Sequence, residues 1–421
     1  MRADLILHDA DEIATCAGPA PRLGQRQGEA GILRQASLAA RDGRVVFVGP
    51  AGECRTRVRL ADGGVELDVT GCSVLPGFVD AHTHVVFAGE RRGELRRRLA
   101  GATYEEIASE GGGILTTVGA TRLASEHELV ASATRRLWRM LRCGTTTAEV
   151  KSGYGLTLED ELKMLRTVGR LQSAQPVELV PTFLGAHEVP PEFRDDPSAY
   201  VALVTERMIP AVAAAGLAET CDVFCERGVF TVEQSRAVLV AARAAGLGTR
   251  VHAEEFAASG GAALAAEVGA RSADHLVCVT REGARALARA GTVATLLPAA
   301  AFYLKLGRHA PARMLIDEGV AVALGTDFNP GAGLATSMPF VLTLACFGMG
   351  LTLDESLVAA TLNAAYALNR HASVGSLEEG KQLDAVVVEG SLDALLAMGP
   401  SPIRQVIKRG RIVYDTSETQ P

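Results

Sequence analysis

The chain has 421 residues, 48% of them apolar and 22% charged, with a formal net charge of −7. That length suits one large domain with a smaller one, and the acidic balance excludes a global positive field for nucleic acid or anionic membrane. No apolar run approaches the roughly 20 residues of a spanning helix, and residues 1–12, with Asp4, Asp9, Asp11 and Glu12, lack the apolar core of a signal peptide, so a cytoplasmic protein is expected.

Residues 1–73 read as short strands at 4–7, 37–40, 45–48 and 65–69, separated by turn signals such as Asp42-Gly43 and Asp62-Gly63-Gly64. Between two of them, residues 17–31 are rich in Gly, Pro, Arg and Gln and are expected to form a flexible loop. Residues 74–372 alternate apolar strands with helical patterns. Strands are expected at 74–79, 145–150, 179–183, 222–225, 249–252, 271–275, 293–297 and 321–325, and helices at 126–141, 158–172, 197–215, 231–245 and 282–290. Eight such repeats predict a (β/α)8 TIM-type barrel. A doubly wound open sheet is disfavoured because no Gly-x-Gly-x-x-Gly opens a helix after the first strand. Residues 373–421 return to strands at 385–389, 403–408 and 411–414, so the two chain ends are expected to build one small β-sandwich domain. The basic run Arg96-Arg97-Arg98 reads as a solvated helix face. The eight cysteines are dispersed, and Cys221 and Cys225 have no second pair at zinc-ribbon spacing, so reduced structural thiols are expected.

Chemistry in a (β/α)8 barrel sits at the C-terminal ends of the strands. The first strand ends in Asp80-Ala81-His82-Thr83-His84, where two imidazoles spaced two residues apart face the same way. The fifth ends at His252, the sixth at Asp274-His275 and the eighth at Thr326-Asp327, and the third runs into His187. Imidazole nitrogen and carboxylate oxygen suit zinc or iron, with a position left open for water. His82, His84, His252 and Asp327 are expected as direct ligands of such an ion, with His275 better placed near the metal-bound water, the alternative being a further ligand.

These residues sit in strings that are specific over long stretches. Residues 74–84, "VLPGFVDAHTH", resemble the first-strand signature of the amidohydrolase superfamily. "HTHVVFAGERRGE", "GATYEEIASEGGGI", "EVKSGYGL", "FLGAHEVP", "HAEEF" and "TDFNPG" resemble the imidazolonepropionase family within it, and "GSLEEG" at 375–380 resembles the superfamily's return to its small β-domain. The resemblance implies hydrolysis of 4-imidazolone-5-propanoate to N-formimidoyl-L-glutamate, one divalent metal per chain and a homodimer. It implies that Arg91, Tyr154, His187, Glu255, Asn329 and Gly331 bind substrate, and that Glu255 handles the water proton with His275 and Asp327 as its catalytic neighbours. A guanidinium at Arg91 would also suit a propanoate carboxylate on chemical grounds alone. Lys151 resembles the strand-end lysine that some amidohydrolases carboxylate, but a one-metal family leaves it outside the ligand set. The family usually follows Asn-Pro-Gly with Ser or Thr, whereas this chain has Ala332 and then Gly333. Two rivals are a different amidohydrolase activity, which would keep the metal set without the Arg91, Tyr154, His187 and Asn329 group, and a barrel kept as an interaction scaffold, which would shed metal ligands.

Overall fold

The structure is a computed structural model that describes all residues except 104, 105, 108, 109, 332, 420 and 421. The expected substitution point at Ala332 therefore lies outside the described residues. Strands β1 (Arg2–Ala14), β2 (Ile32–Arg41), β3 (Arg44–Pro50), β4 (Arg59–Asp68) and β5 (Cys72–Pro76) open the chain. The barrel strands follow: β6 (Phe78–Asp80), β7 (Thr145–Lys151), β8 (Glu178–Ala186), β9 (Thr220–Cys225), β10 (Gly248–Ala253), β11 (Ser272–His275), β12 (Val293–Leu296) and β13 (Val322–Leu324). The chain ends in β14 (Ala385–Glu389), β15 (Ile403–Lys408) and β16 (Arg411–Asp415).

Strands β6 to β13 pair in sequence order, every pair parallel. Backbone bonds from Ala81 N–H to Leu324 O, Asp327 N–H to His82 O and His84 N–H to Phe328 O join β13 back to β6. The second sheet takes β14, β15 and β16 from one chain end and β1 to β5 from the other, with β5 lying between β1 and β14. Its core is a cluster that includes Leu7, Ile13, Leu38, Val74, Leu383, Val387 and Ile407.

The strand expected at 74–79 is two strands in different sheets. Leu75 pairs with Val386 in the small sheet, whereas Val79 pairs with Thr147 in the barrel. Gly77 makes the crossing: a Cβ there would come within 2.3 Å of Thr146 Oγ1, so only glycine fits between the two sheets. The helix expected at 197–215 is continuous but contains a π-helical turn, Val204–Met208, just before Pro210. Proline lacks the N–H and crowds the preceding turn, and a wider turn accommodates both.

The segment expected as a flexible loop is pinned. Gln27 is buried, donates from Nε2 to Val322 O and accepts from Val322 N–H, each at 3.1 Å, and Arg22 N–H donates to Asn363 Oδ1 at 2.8 Å. The basic run is split in the same way, because Arg96 and Arg97 are exposed but Arg98 is buried and donates to Gly331 O.

Alternation along the buried barrel strands sets up the site. In β7, Ala148 and Val150 pack outward with Leu137, Met140 and Met164, so Glu149 and Lys151 face the barrel axis. In β9 and β10, Cys221, Val223, Val251 and Ala253 take the outer positions. Asp222, Arg250 and His252 are thereby directed inward.

Candidate metal centre and substrate cleft

Two hydrogen bonds lock the His-x-His segment. Thr83 N–H donates to Glu149 Oε2 at 3.1 Å, and Thr83 Oγ1 donates to Glu149 O at 2.6 Å. The imidazoles on either side of Thr83 then converge, with His82 Nε2 and His84 Nε2 3.2 Å apart. Asp327 Oδ1 lies 3.6 Å from the first and 3.5 Å from the second. Ligand atoms of His82, His84 and His252 all fall within 4.8 Å of one another.

Three observations fit a divalent ion at this point. Metal–ligand bonds of about 2.0–2.1 Å at a tetrahedral angle place donor atoms roughly 3.3–3.4 Å apart, close to the spacings found. Burial, then Lys151 and neighbouring histidines, hold His82 well below its usual pKa, and burial with His187 and His252 does the same at His84, which favours neutral imidazoles, each with one lone pair to offer. His252 Nε2 is buried and makes no hydrogen bond among the described residues.

The far nitrogens are held by carboxylates that sequence reading left out. His82 Nδ1 is 2.7 Å from Asp274 Oδ2, and His252 Nδ1 is 2.9 Å from Asp222 Oδ2. A proton on His82 Nδ1 toward Asp274 leaves its Nε2 as a lone pair toward the centre, whereas His252 Nδ1 lies close to Asp222 without hydrogen-bond geometry. Lys151 Nζ donates to Glu149 Oε1 at 2.6 Å and to Asp222 Oδ2 at 2.7 Å. Burial alone would lower the Lys151 pKa, but Asp222 and Glu149 outweigh it and raise the value, so the ammonium persists. That lysine is thus a buried counter-ion of Glu149 and Asp222. Arg250 Nη2 donates to Ala81 O at 2.9 Å and lies 3.5 Å from Asp274 Oδ2. Lys151 and Arg250 lie against Glu149, Asp222 and Asp274, so carboxyl groups outnumber cationic side chains beneath the site. The available signal was an acid or base at an inward position of an otherwise apolar strand.

Backbone strain marks the rim. His275 at φ 74°, Asp327 at φ 49° and Glu254 at φ 56° occupy the left-handed region that non-glycine residues rarely adopt. The turn after β10 buries Glu255 with Oε1 3.5 Å from His275 Nδ1. Burial, then Asp327 and Glu226, raise the Glu255 pKa well above the usual carboxylate range. Burial likewise raises Asp327 to about 7 and lowers His275 well below its ordinary value.

The cleft above is lined by every residue expected to bind substrate except Gly331. His187 Nδ1 sits 2.9 Å from Gly153 O, and because a carbonyl only accepts, Nδ1 carries the proton and Nε2 stays an acceptor. Its ring stacks on His84 with centroids 5.1 Å apart, and Tyr154 lies 5.3 Å from it. Arg91 is buried and donates from Nε and Nη2 to Glu94 Oε2 at 3.0 and 2.8 Å. Asn329 Oδ1 accepts from Gly331 N–H at 2.8 Å, while its Nδ2 donates to Asp327 O at 2.8 Å, so this side chain shapes the turn as well as the wall. Gly331 acts through space it leaves empty: a Cβ there would stand 2.3 Å from Arg91 Nη1. Phe224, Phe256, Ile114 and Leu304 complete the lining, and nothing in the sequence context of Phe224 and Leu304 separates them from ordinary core residues.

The amidohydrolase family pattern matches residues 73–414. The imidazolonepropionase of Symbiobacterium thermophilum is 50% identical over 420 residues, covering 99% of each chain, and that of Geobacillus kaustophilus is 48% identical, covering 98% of each. The chain belongs to the imidazolonepropionase family of amidohydrolases. Solved amidohydrolase-like structures share the fold at much lower identity. Escherichia coli guanine deaminase superposes with a TM-score of 0.71 at 16% identity, covering 98% of this chain and 99% of its own. A zinc-containing adenosine deaminase from Xanthomonas campestris gives 0.68 at 19%, covering 99% and 96%. The alignment with these two relatives covers 98–99% of the chain, so it includes the residues of the small sheet as well as those of the barrel.

Proposed function

We propose that this chain hydrolyses the ring amide C–N bond of 4-imidazolone-5-propanoate to give N-formimidoyl-L-glutamate, a step in the degradation of histidine to glutamate. The observation that carries the reading is a cleft with three histidines and Asp327 at its base and a buried arginine, Arg91, in its wall. The full-length similarity to imidazolonepropionases supports the same substrate.

His82, His84, His252 and Asp327 would hold one zinc or iron ion. When bound, such an ion lowers the pKa of water and polarises a carbonyl oxygen. Arg91 pairs with the propanoate carboxylate, and Tyr154 and His187 bracket the ring. Asn329 and Gly331 shape the pocket for the glutamate-like end. Glu255 takes the proton given up by the attacking water, and its raised proton affinity suits it to pass that proton to the leaving ring nitrogen. His275, neutral and 3.5 Å away, orients the Glu255 carboxylate, and Asp327 is the second carboxylate at the reacting centre.

Incubation of metal-loaded protein with imidazolone propanoate should yield formimidoylglutamate, while hydantoins and nucleobases should not turn over; the reverse selectivity would assign another amidohydrolase activity. In the same assay Arg91→Ala should lower kcat/KM by about ten- to a hundredfold, the worth of a charge-assisted hydrogen bond of ~1.5–3 kcal/mol, with metal content intact. An unchanged kcat/KM would place the carboxylate elsewhere.

Two features bear on the assembly and its setting. Helix Met338–Met349 carries no charge and turns Phe340, Leu344 and the exposed Phe347 outward, beside exposed Phe302, which supports a homodimer through this face. All eight cysteines are free thiols, which supports a reducing cytoplasm, and no helix among the described residues is long and apolar enough to cross a membrane.

A further inference from the structure

Helix Glu126–Arg142 places Ser132, Arg135, Arg136 and Arg139 at the three- and four-residue spacings of a single face. Like charges at those spacings repel, so the stripe is an unfavourable arrangement unless an anion meets it. With Arg91 and Arg92 opposite, these residues wall a cavity of about 450 Å³. The two groups of arginines differ in how they are neutralised. Arg91 is paired with Glu94, and Arg92 lies 3.4 Å from Glu90. Among the described residues, Arg135, Arg136 and Arg139 have no carboxylate within ion-pair distance.

Arg136 is fixed in place. Its Nη1 donates to Val85 O and Phe87 O at 2.9 and 2.8 Å, and its guanidinium lies 3.4 Å from the centre of the Phe87 ring. Burial, followed by the charges of Arg135 and Arg139, pushes its pKa down to about 10, with Glu90 acting in the opposite direction. The cavity is not part of the catalytic cleft, but Arg91 lines both.

We infer that this cavity is a binding site for a small dicarboxylate, one carboxylate meeting the helix stripe and the other the Arg91–Arg92 wall. A ligand with two separated anionic ends reaches both arginine groups, competing with Glu90, which also lines the cavity, for Arg92 at the second, whereas a compact anion engages only one. Occupancy reaches the cleft through two contacts, the shared guanidinium of Arg91 and the Phe87 ring, which lies 6.3 Å from Tyr154.

The test uses the metal-loaded full chain at constant ionic strength set with potassium chloride, titrated with glutarate and followed by calorimetry and thermal unfolding. The site predicts saturable glutarate binding with a rise in Tm. The double variant Arg135→Gln/Arg139→Gln should weaken the glutarate dissociation constant at least tenfold and leave basal turnover within twofold. Retained affinity in that variant would put glutarate in the catalytic cleft and overturn the site. Inorganic phosphate binding as tightly as glutarate would overturn the dicarboxylate assignment. A changed oligomeric mass in the double variant, by light scattering, would assign the arginines to a subunit contact instead.

Discussion

His252→Ala is expected to strip the protein of most of its metal and of nearly all turnover. His252 supplies one of three imidazoles whose donor atoms lie within 4.8 Å of one another, and its ring is aimed by Asp222 from beneath. Removing it leaves His82, His84 and Asp327, a set short of one nitrogen donor, and leaves Lys151 as the side chain that bonds Asp222. Lewis-acid assistance is worth several kcal/mol, so the loss should reach about a thousandfold or more in kcat. Metal analysis by mass spectrometry and a turnover assay on the same sample check both halves. Full occupancy with near-normal kcat would remove His252 from the ligand set.

Glu255→Gln is expected to separate catalysis from binding. The variant keeps side-chain size and polarity and touches none of the four proposed ligands, so metal content and product-analogue affinity should stay within a few-fold. Turnover should fall by about 10²–10⁴-fold, the usual contribution of a positioned acid–base group. The sign of the pH effect follows from the role. A base must be unprotonated to act, so the wild-type rate should fall on the acid side of the Glu255 pKa, which burial and Asp327 raise and which a bound cation would draw down. In the variant that acidic limb should weaken. A near-normal kcat with an unaltered limb would move the base role to His275 or Asp327, and loss of metal would make Glu255 a structural support.

The centre was legible in the sequence because its donors fall at strand ends, where a polar residue interrupts an apolar run: His82 and His84 after the first barrel strand, His252 in the fifth, Asp327 after the eighth. The layer beneath was not. Asp222, Glu149 and Arg250 sit within strands, and their inward direction depends on which alternate residues meet the outer helices, a matter of packing rather than of local pattern. Two errors share one cause. Residues 17–31 look mobile and Arg98 looks solvated because composition reports average tendencies, whereas Gln27 on Val322 and Arg98 on Gly331 are single long-range contacts. The strand at 74–79 was read as one because its apolar run continues through Gly77, and only the close approach of Thr146 reveals the crossing.

The position of β5 in the small sheet sets an order of assembly on the ribosome. Residues 72–76 emerge early, yet their antiparallel partner is 385–389, more than 300 residues later in the chain. Until that partner leaves the exit tunnel, one edge of β5 is open and Leu383, Val387 and Ile407 are missing from the core that Val74 shares. Contacts of such long sequence separation form late and slowly. The small sheet is therefore completed only once residues 385–408 are available, after all eight barrel strands have been made, and until then β5 presents an unpaired edge.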